Sequence, residues 1–96
     1  MIKDIKLTLK GAKMSAKAYV LVRVVPGRVR WVYKRFSKIN HIKSVDTITG
    51  TFDFIITLEA EDFDSIWQGV LDEIQSIEGV AETITCNVVH MDGMNS

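Results

Sequence analysis

Cysteine and proline each occur once in the 96 residues, and histidine only twice. The lone thiol, Cys86, cannot close an internal disulfide, and no Cys/His cluster has metal-ligand spacing. A stapled secreted scaffold and a zinc module are therefore excluded. His41 and His90 stand apart from any group that would make either of them catalytic. Net charge is missing as well, because 12 Lys and Arg cancel 12 Asp and Glu, so no basic surplus points to nucleic acid. No apolar run has membrane length, and no basic stretch followed by an apolar one forms a leader, so a soluble, reducing, cytoplasmic setting is expected. What is present is ordinary: 47% hydrophobic and 25% charged residues, enough for one globular core and too short for two.

Residues 17–25, "KAYVLVRVV", are β-branched and aromatic and end at Pro26-Gly27, which predicts a strand. In "RVRWVYKRFSKI", Val29, Val32, Phe36 and Ile39 recur at helical spacing. Arg28, Arg30, Lys34, Arg35 and Lys38, with Lys43 beyond, read as the wet side of that helix rather than a phosphate-binding face. Trp31 and Tyr33 read as interface or half-buried packing. Residues 44–49 and 51–59 predict two strands around a tight turn at Thr49-Gly50, with Phe52, Phe54, Ile56 and Leu58 on one face. Asp62 can cap a second helix whose stripe is Phe63, Ile66, Trp67, Val70, Ile74 and Ile77, with Gly79 ending it and "AETITCNVV" as a last strand. The order is an α+β, ferredoxin-like βαββαβ: a four-stranded antiparallel sheet with two helices on one face.

If Val20, Val22 and Val24 meet the helices, then Tyr19, Leu21, Arg23 and Val25, with Ile55 and Thr57, lie on the opposite face. That face is more apolar than a solvated sheet surface normally is, and the chain's helices are already used. A second copy is the natural cover, so these six residues are expected to form a homodimer interface. The inward set on the last strand is expected to be Ile84, Cys86 and Val88, with Cys86 an inert core thiol.

Three landmarks stand in order: "AYVLVRVVPG", "TGTFDFIITLEAED" and "IEGVAETIT". Together they resemble the effector-binding (RAM) domain of the Lrp/AsnC transcription regulators, over residues 17–90. The resemblance implies face-to-face dimers assembling into an octamer or decamer, with an amino acid bound between dimers near the glycine-containing hairpin. It also implies regulation through assembly, with a full-length family regulator as a further partner. Nothing before residue 17 can form a helix-turn-helix, so a stand-alone effector domain that binds no DNA by itself is expected. Residues 1–16 then read as a linker or edge strand, in which Ile5, Leu7 and Leu9 alternate with polar residues, and 91–96 as a tail. A native start at Met14 stays open, because Lys10 to Met14 can be encoded by a purine-rich ribosome-binding site followed by a start codon.

A free amino acid presents an ammonium and a carboxylate, and a site must answer both. Gly50 lets backbone N–H groups approach a carboxylate, and Asp53 offers the ammonium a fixed negative charge. With the resemblance, Thr49, Gly50, Thr51, Phe52 and Asp53 are expected to form one wall of the site. Thr83 and Thr85 can add hydroxyls, and Trp67 either walls the pocket or simply packs. The alternative for Gly50 and Asp53 is a hairpin glycine beside a solvated acid. Two other functions compete: a small monooxygenase-type enzyme of the dimeric ferredoxin-like kind, and a purely structural co-assembly subunit. The expected interior offers no nucleophile–base pair, no catalytic or metal residue is assigned, and nothing calls for a cofactor.

Overall fold

The computed structural model describes residues 16–89. The expected strand near the N-terminus, His90 and the tail lie outside that range. The elements are β1 (Ala16–Val24), α1 (Val29–Phe36), β2 (Ile42–Thr47), β3 (Phe54–Ala60), a second helical segment α2 over 63–75, and β4 (Val80–Asn87). The sheet runs β2-β3-β1-β4 with every neighbouring pair antiparallel, the βαββαβ arrangement expected.

Alternation in β1 decides the layers. Ala18, Val20, Val22 and Val24 are buried, while Tyr19 and Arg23 are exposed and Leu21 is half-buried. β1 ends in the Pro26-Gly27 turn, closed by Arg28 N–H to Val25 O at 3.1 Å. Val25 lies just past the paired strand, and its N–H donates to Gly79 O at 2.8 Å. From α1, Val32 and Phe36 reach the core, and Phe36 meets Phe54 edge-on at 5.2 Å. The buried cluster contains Val20, Val22, Phe36, Phe54, Ile56, Leu58, Ile66, Leu71 and Ile74, and among the described residues no polar or charged one is buried.

Three expectations are corrected. First, α2 is built of Phe63–Ser65 in α-helix, Ile66–Val70 in π-helix and Leu71–Gln75 in α-helix. The wider turn shifts the inward stripe to Ile66, Val70, Leu71 and Ile74, and Trp67 comes out 46% exposed instead of joining the stripe. Second, β2 ends at Thr47 and β3 restarts at Phe54, so 48–53 is a loop and Phe52 is off the strand. Third, β4 presents the opposite faces to those expected. Ile84 pairs with Leu21 and Cys86 with Tyr19, while Thr83 pairs with Val22 and Thr85 with Val20. Directly paired residues share a face, so Ile84 and Cys86 lie on the open side, and Cys86 is exposed rather than a core thiol. The cause is the register shift between Arg23 and Val24: Arg23 faces Glu82 but Val24 faces Val80, leaving Ala81 as an extra residue.

Candidate functional site

The loop 48–53 hangs from the ends of β2 and β3 and is tied down at its base. Ile48 N–H donates to Asp53 O, and Asp53 N–H to Val22 O, both at 2.8 Å. The Asp53 side chain adds a third tie, its Oδ2 accepting Val24 N–H at 2.8 Å. Asp53 is therefore not merely a solvated acid. It clips the loop to the register shift in β1, half-buried, with its other oxygen making no hydrogen bond among the described residues.

Above these ties the loop is open. Thr49, Gly50 and Thr51 are exposed and Phe52 is half-buried. Gly50 sits at φ +125°, and a Cβ there would meet nothing within 4 Å. Its glycine is required by backbone conformation, not by crowding. Among the described residues no acceptor engages the N–H groups of Thr49, Gly50 or Thr51. The loop thus presents free donors beside an anchored carboxylate, a combination suited to a zwitterion.

The other expected site residues are not at this loop within one chain. Thr83 and Thr85 sit on β4, separated from β3 by β1, a gap of roughly 10 Å at ordinary strand spacing. Thr83 Oγ1 accepts from Gln75 Nε2 at 3.1 Å, under the end of α2. Trp67 stands on α2, partly exposed.

The open sheet face gathers the expected interface residues. Tyr19, Leu21, Ile55 and Thr57, joined by Asp46 and Cys86, line a shallow concavity of about 460 Å³. Ile84, 41% exposed, extends the patch along β4. Charges rim it: Arg23 forks onto Glu82, with Nε at 3.0 Å from Oε1, and Lys43 approaches Glu59 at 3.7 Å. Lys17 lies over the Tyr19 ring at 5.6 Å.

One signal was hidden by the zero net charge. All 12 Lys and Arg fall within residues 1–43 beside a single acid, Asp4, and the other 11 of the 12 acids follow, giving +11 (12 − 1) and −11 (0 − 11) for the two halves. Folding turns this into a basic α1 and an acidic α2 on one face of the sheet. The groove between them has Trp31, Arg35 and Lys38 on one bank and Glu73, Ser76 and Glu78 on the other. Arg28 reaches Glu78 at 3.5 Å across it. Among the described residues no group of three or more His, Cys, Asp or Glu is placed to hold a metal, and no helix is long and apolar enough to cross a membrane.

The family model of the Lrp/AsnC ligand binding domain matches residues 17–91. An uncharacterized HTH-type transcriptional regulator of Pyrococcus abyssi is 27% identical over 84% of this chain and 56% of its own length. A second from Pyrococcus horikoshii is 26% identical with the same coverage. The chain thus spans little more than half the length of these relatives. Among solved structures, a protein of Thermus thermophilus has a TM-score of 0.72 at 25% identity, covering 78% of this chain and 94% of that one. Escherichia coli AsnC has a TM-score of 0.75 at 13% identity, with 84% and 55% covered. A transcriptional regulator of Neisseria meningitidis, solved as its L-Met complex, has a TM-score of 0.68 at 19% identity, with 85% and 55% covered.

Proposed function

The chain belongs to the Lrp/AsnC ligand binding domain family, and from that premise we propose that it is an amino-acid-sensing regulatory module without catalytic activity. Two copies join through their open sheet faces, dimers assemble further, and an amino acid binds between dimers at the 48–53 loop. The bound effector alters assembly, or co-assembly with a DNA-binding regulator of the family, and so alters transcription.

The match to a ligand-binding domain across residues 17–91 carries this reading. The loop supplies compatible chemistry. Its free N–H groups at Thr49 to Thr51 suit the carboxylate, and the uncommitted oxygen of Asp53 suits the ammonium. Phe52 gives the effector's side chain an apolar neighbour. Thr83, Thr85 and Trp67 join such a site from another copy, because β1 separates both threonines from the loop of their own chain.

A thermal-shift screen of the purified chain against the twenty amino acids tests this. Binding to the folded state at a hundredfold excess over Kd adds about 2.7 kcal/mol. A dose-dependent rise of several degrees for one amino acid or a chemically related group is expected. The apolar side chains come first, given the L-Met complex of the Neisseria structure. No shift with any of the twenty at millimolar concentration would overturn the reading.

A further inference from the structure

We infer that the helix layer is a second self-association surface, on which the basic α1 of one copy docks against the acidic α2 of another. This deepens the proposed function, resting on its reading that dimers assemble further, and supplies the contact.

Three observations carry it. The first is the completeness of the charge separation. From residue 26 to residue 45 the chain has six Lys and Arg and no acid, and from 59 to 82 it has eight acids and no Lys or Arg. A merely solvated surface mixes both signs, which lowers its own field. The second is that much of this charge has no ion-pair partner among the described residues. Arg28 pairs with Glu78, Lys43 with Glu59 and Glu82 with Arg23, but among the described residues Lys34 and Lys38 on one side, and Asp64, Asp72 and Glu73 on the other, take part in no ion pair. By helical spacing Lys34 lies opposite the buried Val32 and Phe36, on the outward side of α1, and Lys38 follows just past the Ser37 cap.

The third is apolar surface among the charges. Trp31 is 43% exposed on α1, beside Arg35, whose guanidinium lies 5.6 Å from the ring. Trp67 is similarly exposed on α2. Tryptophan and arginine are the residues that most often anchor protein interfaces. The two helices lie side by side on one face of the sheet. A two-fold axis in the contact plane, running along them, sets each basic helix on its partner's acidic one. That is an isologous contact, complementary twice over.

The test uses two variants of the whole chain. Arg30→Glu/Lys34→Glu/Lys38→Glu takes residues 28–38 from +5 to −1, so the helix layer carries one sign and repels its copy. Asp72→Lys/Glu73→Lys turns α2 basic with the same consequence. All five side chains are exposed, and circular dichroism should show both variants folded. Sedimentation of the wild type should give multiples of a dimer at low salt and the dimer alone near about 0.5 M NaCl, where screening is short-ranged. Each variant alone should weaken the dimer–dimer contact at least about tenfold and sediment as a dimer. Mixing the two should restore the larger species, because an acidic layer then meets a basic one. Assembly indifferent to salt and to both variants would overturn the inference, as would a mixture that stays dimeric. Loss of polyanion binding with self-association unaltered would instead assign α1 to nucleic acid. No amino acid enters these measurements, so failure of effector binding and failure of this contact are read separately.

Discussion

At the scale of single residues, Asp53 is the informative case. Its carboxylate serves the fold, through Val24 N–H, and in our proposal also serves the ligand. The two roles separate by substitution. Asp53→Ala removes the acceptor and leaves a part-buried N–H without its partner, which should cost about 1–3 kcal/mol in urea denaturation. Asp53→Asn keeps a carbonyl oxygen for Val24 and loses only the charge, so stability should fall by less. Calorimetric titration of Asp53→Asn with an identified amino acid should nevertheless show affinity reduced about ten- to a hundredfold. Equal stability loss in both variants would mean that the charge, not the acceptor, holds the loop. Unchanged affinity in folded Asp53→Asn would leave Asp53 with the structural role alone. The acid between two phenylalanines is visible in the sequence, but its bond to Val24 is not, because that residue lies 29 positions away across a strand pair.

At the scale of elements, what could be read from sequence depended on how many of an element's faces were buried within this chain. β1 and β3 are central strands, and their alternation put Val20, Val22, Phe54, Ile56 and Leu58 inside, where the structure places them. β4 is an edge strand with Thr83 and Thr85 toward the helices and Ile84 and Cys86 outward, so apolarity pointed to the wrong side. One extra residue at Ala81 sets the register, and a one-residue slip exchanges the faces of every side chain. In α2 a π-turn displaced Trp67 from the stripe, which a strict 3.6-residue period could not anticipate. The loop at Thr49-Gly50 was placed correctly from its glycine, though it proved longer than a tight turn. Two glycines at positive φ make a further comparison. Gly50 (φ +125°) has open space around it, whereas at Gly79 (φ +106°) a Cβ would lie 3.0 Å from Arg28 Cβ and 3.1 Å from Val32 Cγ2. Gly50→Ala should therefore cost only the backbone strain, about 1–3 kcal/mol. Gly79→Ala adds crowding against Arg28 and Val32, which must give by a few tenths of an ångström. Thermal melts should show the larger loss for Gly79→Ala, and the reverse order would contradict this packing of α1 over Gly79.

At the scale of the whole molecule, the corrected orientation of β4 strengthens the case for a dimer. Ile84 and Cys86 add to Tyr19, Leu21, Ile55 and Thr57, so the open face is more apolar than the sequence alone assigned. Leu21 is its centre, flanked in register by Ile55 on β3 and Ile84 on β4. In a single chain the side chain is only half-buried, so Leu21→Glu leaves its carboxylate in water and the fold intact. In a face-to-face dimer the same carboxylate is buried against apolar groups of the second sheet, and removing an unpaired charge from water costs several kcal/mol. That is enough to raise a micromolar dimer constant beyond millimolar. Leu21→Ala removes contact area without introducing charge and should weaken the dimer far less. Light scattering at tens of micromolar should give dimers or larger for the wild type and Leu21→Ala, but folded monomers for Leu21→Glu. Wild-type chains that remain monomeric would leave the exposed Tyr19, Ile84 and their neighbours without a cover. A dimer surviving Leu21→Glu would show that the sheet faces are not what joins the copies.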